Sequence, residues 1–248
     1  RILRRVLSRT IESYVLKKAD LVICNSSYVK SRVCEGYRLP EEKVDVIYKA
    51  VDTTYFKRNA EGRSKEVNGV HIAFVGTDFL KKNLLSLLKA SLKCIKQGKE
   101  ITVHVVSSDD TENHKSFQRF LAEPHLKDRI VFYGKSNRSQ IRSCLHACDL
   151  FAMPTFFEAL GVSYLEAMAA GLPVIGAKIG GVPEIIEEGK NGYLIDPEDT
   201  EALARHIATL YDDKKLRQAL SEEGYKTALR FNHQELLERI TKIYLECQ

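Results

Sequence analysis

The chain has 248 residues, 44% of them apolar and 29% charged, which is typical of a globular protein that can bury a core in one large or two smaller domains. A net charge of +5 and a pI near 8.8 suit an anionic ligand or an acidic surface but do not by themselves indicate nucleic acid. No apolar run approaches the ~20 residues of a membrane-spanning helix. Because the chain begins at Arg1 rather than Met, we expect a segment to precede it in the parent protein.

Residues 1–20 have the spacing of a basic amphipathic helix. The apolar stripe is Leu3, Leu7, Ile11 and Tyr14, and the basic residues are Arg1, Arg4, Arg5, Arg9, Lys17 and Lys18. Such a helix can lie peripherally on an anionic membrane surface. We favour the alternative, a domain helix with a solvated basic face.

Short runs rich in Val and Ile, bounded by Gly, Pro, Asp or Asn, predict strands at 21–24, 44–48, 70–76, 101–106, 129–134, 149–154, 172–177 and 192–195. Stretches between them, such as 84–97 and 139–148, have the apolar spacing of helices. Apolar strands that alternate with helices indicate a parallel sheet covered on both faces. The predicted fold class is therefore α/β, a Rossmann-like doubly wound parallel sheet.

The predicted elements divide the chain unevenly. Residues 1–48 have the pattern of the end of a separate domain, and 70–228 that of one complete doubly wound domain. Residues 49–69 are polar without a clear period and predict a linker. Residues 229–248 predict a closing helix.

Six cysteines in a chain of this length do not form a disulfide framework, so we expect a reducing, cytoplasmic setting. In the sequence CLHAC, Cys144 and Cys148 share a helix face while His146 points elsewhere. No second ligand pair with zinc-like spacing follows. We interpret this cluster as core packing.

In open α/β sheets, ligands bind beyond the carboxyl ends of the strands, so the loops there carry the candidate site. The loop after strand 70–76 brings Lys81 and Lys82 to the start of a helix, where charge and free N–H groups predict an anion site. In GGVPE (180–184) we expect Pro183 to open a helix, so the small residues before it also offer bare N–H groups to an anion, although Gly-Gly before Pro is also good turn chemistry. A solvated lysine pair is the alternative for the first loop.

The segment MPTFFEALGVSYLEAMAAG carries two glutamates eight positions apart. On one continuous helix they would diverge by ~80°, so they converge better if Glu158 lies in the turn before a helix and Glu166 about one turn inside it. Gly161 then stands near the helix start, where a ligand can approach the backbone. This arrangement predicts a phosphate on the helix N-terminus, with carboxylates that accept hydrogen bonds from sugar hydroxyls.

These residues resemble a known family. FEALGVSYLEAMAAGLPVI, followed by GGVPE and NGYLI, is similar to the carboxyl-terminal, donor-binding half of retaining glycosyltransferases of family 4 (group 1), which have the GT-B fold. The similarity covers residues 20–248 and includes, in family order, ADLVICNSSYVK, VIYKAVDTTYF and VGTDFLKKN. It implies a first unit, 1–48, left from the acceptor domain, a linker at 49–69, a donor-binding domain at 70–228, and a last helix at 229–248 that crosses back to the first unit.

The resemblance implies a site for one nucleotide-diphosphate sugar. Its members are Gly76, Thr77, Lys81, Lys82, Gly134, Lys135, Glu158, Leu160, Gly161, Val162 and Glu166. Both lysines and the N–H groups around Gly161 would bind the diphosphate, Glu158 the transferred sugar and Glu166 the ribose. Gly134 and Lys135 would face the base. Glu158 and Lys82 are the candidate catalytic residues.

No metal or other cofactor is implied, because lysines and a helix dipole can stabilise the departing diphosphate in place of Mg²⁺. We interpret Asp109-Asp110 as a polar loop and helix cap rather than a metal site. Three positions depart from the family pattern. They are Thr77 in place of Arg, VVSSDD in place of a glycine-rich turn, and His233 in place of Trp.

The implied function is transfer of a sugar from the nucleotide donor to a hydroxyl of a glycan, lipid or small molecule. Because most of the acceptor domain is absent from the sequence, the alternative is a donor-binding module without turnover of its own, completed by a missing amino-terminal domain. A nucleotide-sugar epimerase is disfavoured, since acid–base residues beyond the two glutamates are scarce. We expect a cytoplasmic location, with the inner face of a membrane as the alternative, and no nucleic-acid partner.

Overall fold

The computed structural model describes residues 2–58, 68–109 and 114–246, without the side chains of residues 2–8, 116, 119 and 246. The helices are α1 (Ile2–Lys18), α2 (Ser27–Tyr37), α3 (Thr53–Phe56), α4 (Leu84–Lys96), α5 (Lys115–Leu121), α6 (Arg138–Ala147), α7 (Val162–Ala169), α8 (Thr200–Asp212), α9 (Lys214–Arg230) and α10 (His233–Glu246). The strands are β1 (Val22–Cys24), β2 (Val44–Val46), β3 (Val70–Val75), β4 (Ile101–Val106), β5 (Ile130–Gly134), β6 (Leu150–Met153), β7 (Val174–Ala177) and β8 (Gly192–Ile195). Every predicted strand is present, with bounds that agree within two residues.

Six strands form one parallel sheet in the order β5-β4-β3-β6-β7-β8. The chain runs outward from β3 to β5, then returns through α6 and places β6 on the other side of β3. Helix α4 packs against α8, and α7 packs against α9 on the opposite face. The prediction of a doubly wound parallel sheet is confirmed. Its strand order reverses between β3 and β6, which is where ligands bind in such sheets.

The central strands are buried on both faces. Every residue of β3, β6 and β7 is buried, as expected for continuous apolar strands under helices on each side. Fully buried side chains such as Phe74 and Phe151 each contribute about 1.5–3 kcal/mol relative to exposure. The strands that flank the reversal point therefore form the most firmly packed part of the domain.

Strands β1 and β2 pair in parallel and form, with α2, the first unit, which has its own apolar core. Glu184 joins this unit to the large domain. Its carboxylate accepts hydrogen bonds from the main-chain N–H groups of Ser27 and Tyr28, both at 2.8 Å, and from Tyr48 Oη at 2.8 Å. Ser26 Oγ donates to the carbonyl of Ala159 at 2.6 Å.

The segment predicted as a linker is partly helical. Asp52 accepts a hydrogen bond from the N–H of Tyr55 and caps α3, and Phe56 is buried in the core of the large domain. A single helical turn is too short to produce a recognisable sequence period, and the tertiary contact of Phe56 stabilises it. Residues 59–67 of the same segment lie outside the described residues.

The last helix reaches the first unit. Arg239 of α10 forms an ion pair with Asp45 of β2 at 3.1 Å. Phe231 lies just before α10, and its carbonyl accepts a hydrogen bond from Val51 N at 2.8 Å. The Phe231 ring packs edge-on against the ring of Tyr48. The closing helix begins at His233 rather than at residue 229, because α9 continues to Arg230.

Helix α1 exposes part of its predicted apolar stripe. Ile11 is 55% exposed and Tyr14 is 65% exposed, whereas the side chains of Leu3 and Leu7 lie outside the described part of the chain. Across residues 2–58, 68–109 and 114–246, no helix combines the length and the apolar character needed to cross a bilayer.

Candidate active site

The reversal point brings together the loop after β3 and the loop after β6. The first loop contains Lys81 and Lys82, and the second contains Glu158. Phe156 N donates to the carbonyl of Lys81 at 2.8 Å, and Thr155 Oγ1 lies 3.2 Å from the same carbonyl oxygen. The two loops are therefore hydrogen-bonded to each other where β3 and β6 end.

Lys82 and Glu158 form an ion pair in the cleft between these two loops. Lys82 Nζ lies 2.5 Å from Glu158 Oε2, and the two side chains are only 18% and 16% exposed. Gly76 permits this position of Lys82, because a Cβ on Gly76 would lie 3.0 Å from Lys82 Cγ. The neighbouring Thr77 is exposed in the loop after β3. The structure thus brings the two candidate catalytic residues into direct contact.

Lys81 differs from Lys82. Its side chain is 70% exposed and forms an ion pair with Asp78 at 2.6 Å. The main-chain N–H groups of Lys82, Asn83 and Leu84 donate to carbonyls of the preceding turn. The expected free N–H groups beside the two lysines are therefore absent at these positions, because residues 79–83 form a hydrogen-bonded turn before α4 begins.

The start of α7 has the anion-binding features that the sequence predicts. Gly161 is the N-cap residue, with φ of +99°, and no side chain caps the helix. Among the residues that the structure describes, no acceptor is present for the N–H groups of Leu160, Gly161, Val162 and Ser163. Free N–H groups at a helix N-terminus attract an anion. A Cβ on Gly161 would lie 3.3 Å from Glu158 Cγ, so the ion pair adjoins this N-terminus.

Glu166 lies about one turn inside α7 and Glu158 lies in the loop before it, which are the positions that the sequence predicts for them. The Glu166 carboxylate accepts no hydrogen bond from any described residue. Burial raises its pKa to about 7, and the nearby charge of Arg138, at the start of α6, opposes this rise. A half-buried carboxylate without a donor suits a ligand that supplies hydroxyl groups.

The GGVPE segment does not form the second anion site that its glycines allow. Gly181 N donates to the carbonyl of Glu158 at 3.2 Å, and a Cβ on Gly180 would lie 1.8 Å from the same oxygen. Pro183 opens only one 3-10 turn, Val182–Glu184, rather than a longer helix. The two glycines instead let this turn contact the backbone of the Glu158 loop.

Gly134 and Lys135 are exposed at the carboxyl end of β5, an edge strand two positions from β3. Gly134 has φ of +62°, and nothing lies within 4 Å of the position of its missing Cβ. The loop leads into α6, whose Arg138 is near Glu166. The Asp109 carboxylate accepts a hydrogen bond from Phe79 N, in the loop after β3, at 2.9 Å. Asp110 lies outside the described residues.

Sequence reasoning missed three exposed apolar side chains in the two loops that carry the lysines and Glu158. Leu80 is 50%, Phe156 44% and Phe157 56% exposed, and they flank Lys81 and Glu158 in sequence. It also missed Thr155, a buried residue whose Oγ1 donates to the carbonyl of Phe157 at 2.8 Å and so supports the loop. Large apolar residues in a loop that follows a strand were the available signal.

Comparison with known proteins bears on this geometry. The family described as glycosyl transferases group 1 matches residues 55–227, and the one described as glycosyltransferase family 4 matches residues 1–55. Over 249 residues, the chain is 26% identical to a D-inositol 3-phosphate glycosyltransferase of Corynebacterium urealyticum, which covers 95% of this chain and 59% of that protein. It is 26% identical over 237 residues to an N-acetyl-alpha-D-glucosaminyl L-malate synthase of Bacillus anthracis, with 93% and 61% covered.

The fold is shared with solved structures. A crystal structure of Anabaena HepE in complex with UDP-glucose superimposes with a TM-score of 0.80 at 26% identity, covering 90% of this chain and 64% of that one. The chain spans about three fifths of the length of the curated relatives it matches. The predicted GT-B fold type is confirmed. Because the group 1 match alone covers more than half of the chain, the protein belongs to the glycosyl transferases group 1 family.

Proposed function

We propose that the chain binds a nucleotide-diphosphate sugar at the N-terminus of α7 and takes part in retaining transfer of the sugar to an acceptor hydroxyl. The observation that carries the proposal is the row of four N–H groups at residues 160–163 without acceptors among the described residues. A charged pair, Lys82 and Glu158, lies on one side of this row, and the unpartnered Glu166 lies one turn inside the helix. The match to the glycosyl transferases group 1 family supports the same ligand class.

In this mechanism the diphosphate is held by the α7 N–H groups and by Lys82 Nζ. As the bond between the anomeric carbon and the phosphate oxygen breaks, negative charge grows on the diphosphate, and these groups stabilise it without reorganisation. Glu158 accepts hydrogen bonds from hydroxyls of the transferred sugar, and Glu166 from the ribose. The acceptor hydroxyl attacks from the leaving-group face and passes its proton to the departing diphosphate oxygen, so the anomeric configuration is retained.

This scheme uses no metal ion in the donor cleft. Lys82 and the α7 N-terminus supply the positive charge that Mg²⁺ supplies elsewhere. Nucleotide affinity measured with and without EDTA tests this point. We expect equal affinities, and an EDTA-sensitive affinity that Mg²⁺ restores would contradict the scheme.

Calorimetric titration of the chain with a panel of nucleoside diphosphates tests the donor site. We expect one nucleotide bound per chain, with affinity reduced in Glu166→Gln. Glu158→Gln is expected to leave nucleotide affinity nearly unchanged but to weaken discrimination between nucleotide sugars. Absence of binding to every nucleotide in the panel would overturn the proposal. Nuclear magnetic resonance of a transfer product would test retention through its anomeric configuration.

The alternative, a donor-binding module without turnover of its own, is favoured by one observation. The chain spans about three fifths of its curated relatives, so the remaining part of such a protein would carry most of the acceptor site. A mixture of chain, nucleotide sugar and acceptor panel distinguishes the two. Release of nucleoside diphosphate indicates an enzyme, whereas binding without release indicates the module.

A further inference from the structure

A buried cluster of metal-ligand atoms lies beneath α6, away from the candidate donor site. His104 of β4, Cys144 of α6 and Cys148 at the end of α6 are at most 7% exposed. One ligand atom of each lies within 4.8 Å of those of the other two. Cys148 stands just before β6, at the end of the sheet opposite to the loops that hold Lys82 and Glu158.

This cluster differs from the group of Cys144, His146 and Cys148 that the sequence CLHAC contains. His146 does not take part, because its Nε2 lies 2.7 Å from the carbonyl of Phe56. Cys144 and Cys148 are four residues apart and point from α6 toward the sheet, as their burial shows. The histidine that meets them comes from β4, forty residues earlier. Sequence spacing alone therefore does not reveal the group.

A second histidine and a tyrosine extend the cluster. His71 Nδ1 of β3 lies 2.7 Å from His104 Nε2, and His104 Nδ1 lies 2.9 Å from Tyr133 Oη of β5. The three strands are adjacent, so these side chains cross one face of the sheet in a row. A hydrogen-bonded row of this kind under a helix is unusual for an apolar core, where polar groups are costly to bury.

We propose that His71, His104, Cys144 and Cys148, the Cys2His2 cluster, bind one Zn²⁺ ion as a structural site. Two thiolates and two imidazoles are a common tetrahedral ligand set for structural zinc, with Zn–S near 2.3 Å and Zn–N near 2.0–2.1 Å. Those bond lengths place the ligand atoms roughly 3.3–3.8 Å apart. His104 and the two sulfur atoms reach this arrangement if the sulfur atoms approach His104 by up to about 1 Å. His71 lies outside that group of three and becomes the fourth ligand when its ring turns from His104 Nε2 toward the sulfur atoms.

The surroundings fit this ion. Binding releases one proton from each thiol to solvent, so the two thiolates balance the charge of Zn²⁺. Tyr133 Oη can accept the remaining ring N–H of His104, which is the outer contact that usually orients a metal-bound histidine. Arg58 donates to the carbonyls of Leu145 and Cys148 and brings a positive charge near the thiol of Cys148. The site is separate from the donor cleft and does not depend on the proposed function.

Titration of the reduced, chelator-treated chain with Co²⁺ tests the proposal. We expect the thiolate charge-transfer band and the visible bands of tetrahedral Co²⁺ to saturate at one ion per chain, and Zn²⁺ to displace them. Cys144→Ser and Cys148→Ser should each lose or strongly weaken the charge-transfer band. Cys94→Ser is the matched control, since Cys94 is a buried helical cysteine whose Sγ contacts the carbonyl of Ala204 at 3.4 Å on the other face of the sheet.

Tyr133→Phe tests the outer contact and is expected to weaken Zn²⁺ affinity about 10–100-fold, the usual effect of losing such a partner. X-ray absorption of the zinc-loaded wild-type chain needs no variant and is informative even if a cysteine variant does not fold. We expect shells of two sulfur and two nitrogen atoms. Absence of Co²⁺ binding to the reduced wild-type chain, a zinc shell of oxygen and nitrogen alone, or full binding in both cysteine variants would overturn the proposal.

Discussion

Lys82 and Glu158 contact each other, so a donor that enters the cleft meets a charge pair rather than two separate charges. The ammonium group has three donors and the carboxylate several acceptor positions, so each can keep the other as a partner and still bind a ligand group. The sequence predicted both residues in the site from a family resemblance. It did not predict their pairing, because they are 76 positions apart and only the folded sheet joins their loops.

The two lysines are expected to contribute unequally to nucleotide binding. Lys82→Ala should lower nucleoside diphosphate affinity about 10–100-fold, because a hydrogen bond to a charged group contributes about 1.5–3 kcal/mol. Lys81→Ala should change it less than about 5-fold, since exposed ion pairs contribute at most about 1 kcal/mol. Calorimetric titration of the two variants checks this. An equal loss in both would show that Lys81 also contacts the diphosphate.

The raised pKa of Glu166 predicts a pH-dependent stability. Between its ordinary pKa of 4.5 and the folded-state value of about 7, the folded protein holds a proton that the unfolded chain has released. The free energy of unfolding contributed by this group therefore falls as pH rises through that range. Glu166→Gln removes the dependence, so the variant should gain stability relative to wild type between pH 5 and pH 8. Urea unfolding at both pH values measures this, and a constant difference would contradict it.

At the scale of elements, the turn of Gly180 and Gly181 supports the loop that carries Glu158. Gly180 has φ of +58°, and its missing Cβ leaves room for the carbonyl of Glu158. The sequence predicted a turn here but not the contact of that turn with the backbone of the Glu158 loop. The close contact involves a loop more than twenty residues earlier, and no local pattern records it.

Gly180→Ala is expected to destabilise the fold and weaken nucleotide binding together. Gly189→Ala is the matched control, because Gly189 also has positive φ, +72°, but has nothing within 4 Å of its missing Cβ. The control should cost about 1–2 kcal/mol for the left-handed backbone. Gly180→Ala adds a clash with a backbone oxygen and should cost more. Chemical unfolding and calorimetric titration check both variants, and equal stabilities would contradict the supporting role.

Helices with several turns of regular apolar spacing and strands with a continuous apolar run were predictable from the sequence. Short elements that depend on tertiary contacts were not. The strands around the cleft and α7 with its glycine N-cap followed from local patterns, as did the placement of the two glutamates. Helix α3 was missed because one turn shows no period. The helix expected after Pro183 stops after one 3-10 turn, and the Glu184 side chain is engaged with α2.

At the scale of the whole molecule, Glu184 joins the first unit to the large domain by capping α2. Two main-chain N–H groups and the Tyr48 hydroxyl share its carboxylate. Ser26 adds a contact to Ala159, the residue that follows Glu158. The first unit is therefore bonded to the same loop that lines the candidate site. The sequence predicted two units. It did not predict the contact of the Glu184 carboxylate with the N-terminus of α2, because that contact depends on how the two units pack.

Glu184→Gln is expected to loosen the first unit without unfolding the large domain. The variant loses a charged acceptor for two N–H groups, and hydrogen bonds to charged groups contribute about 1.5–3 kcal/mol. Amide hydrogen exchange should become about 10-fold faster or more in α2, with α7 unchanged. Glu187→Gln is the control, since Glu187 is exposed and pairs with Lys190 and Arg230. Unchanged exchange in α2 would contradict the capping role.

A crystal structure of the chain with the nucleoside diphosphate that binds tightest in the titration panel tests the central claim most directly. The account predicts the diphosphate within hydrogen-bonding distance of the N–H groups of Gly161 and Val162 and of Lys82 Nζ. It also predicts the ribose hydroxyls on Glu166. A nucleotide bound elsewhere, or bound with the α7 N–H groups still without a partner, would contradict the account.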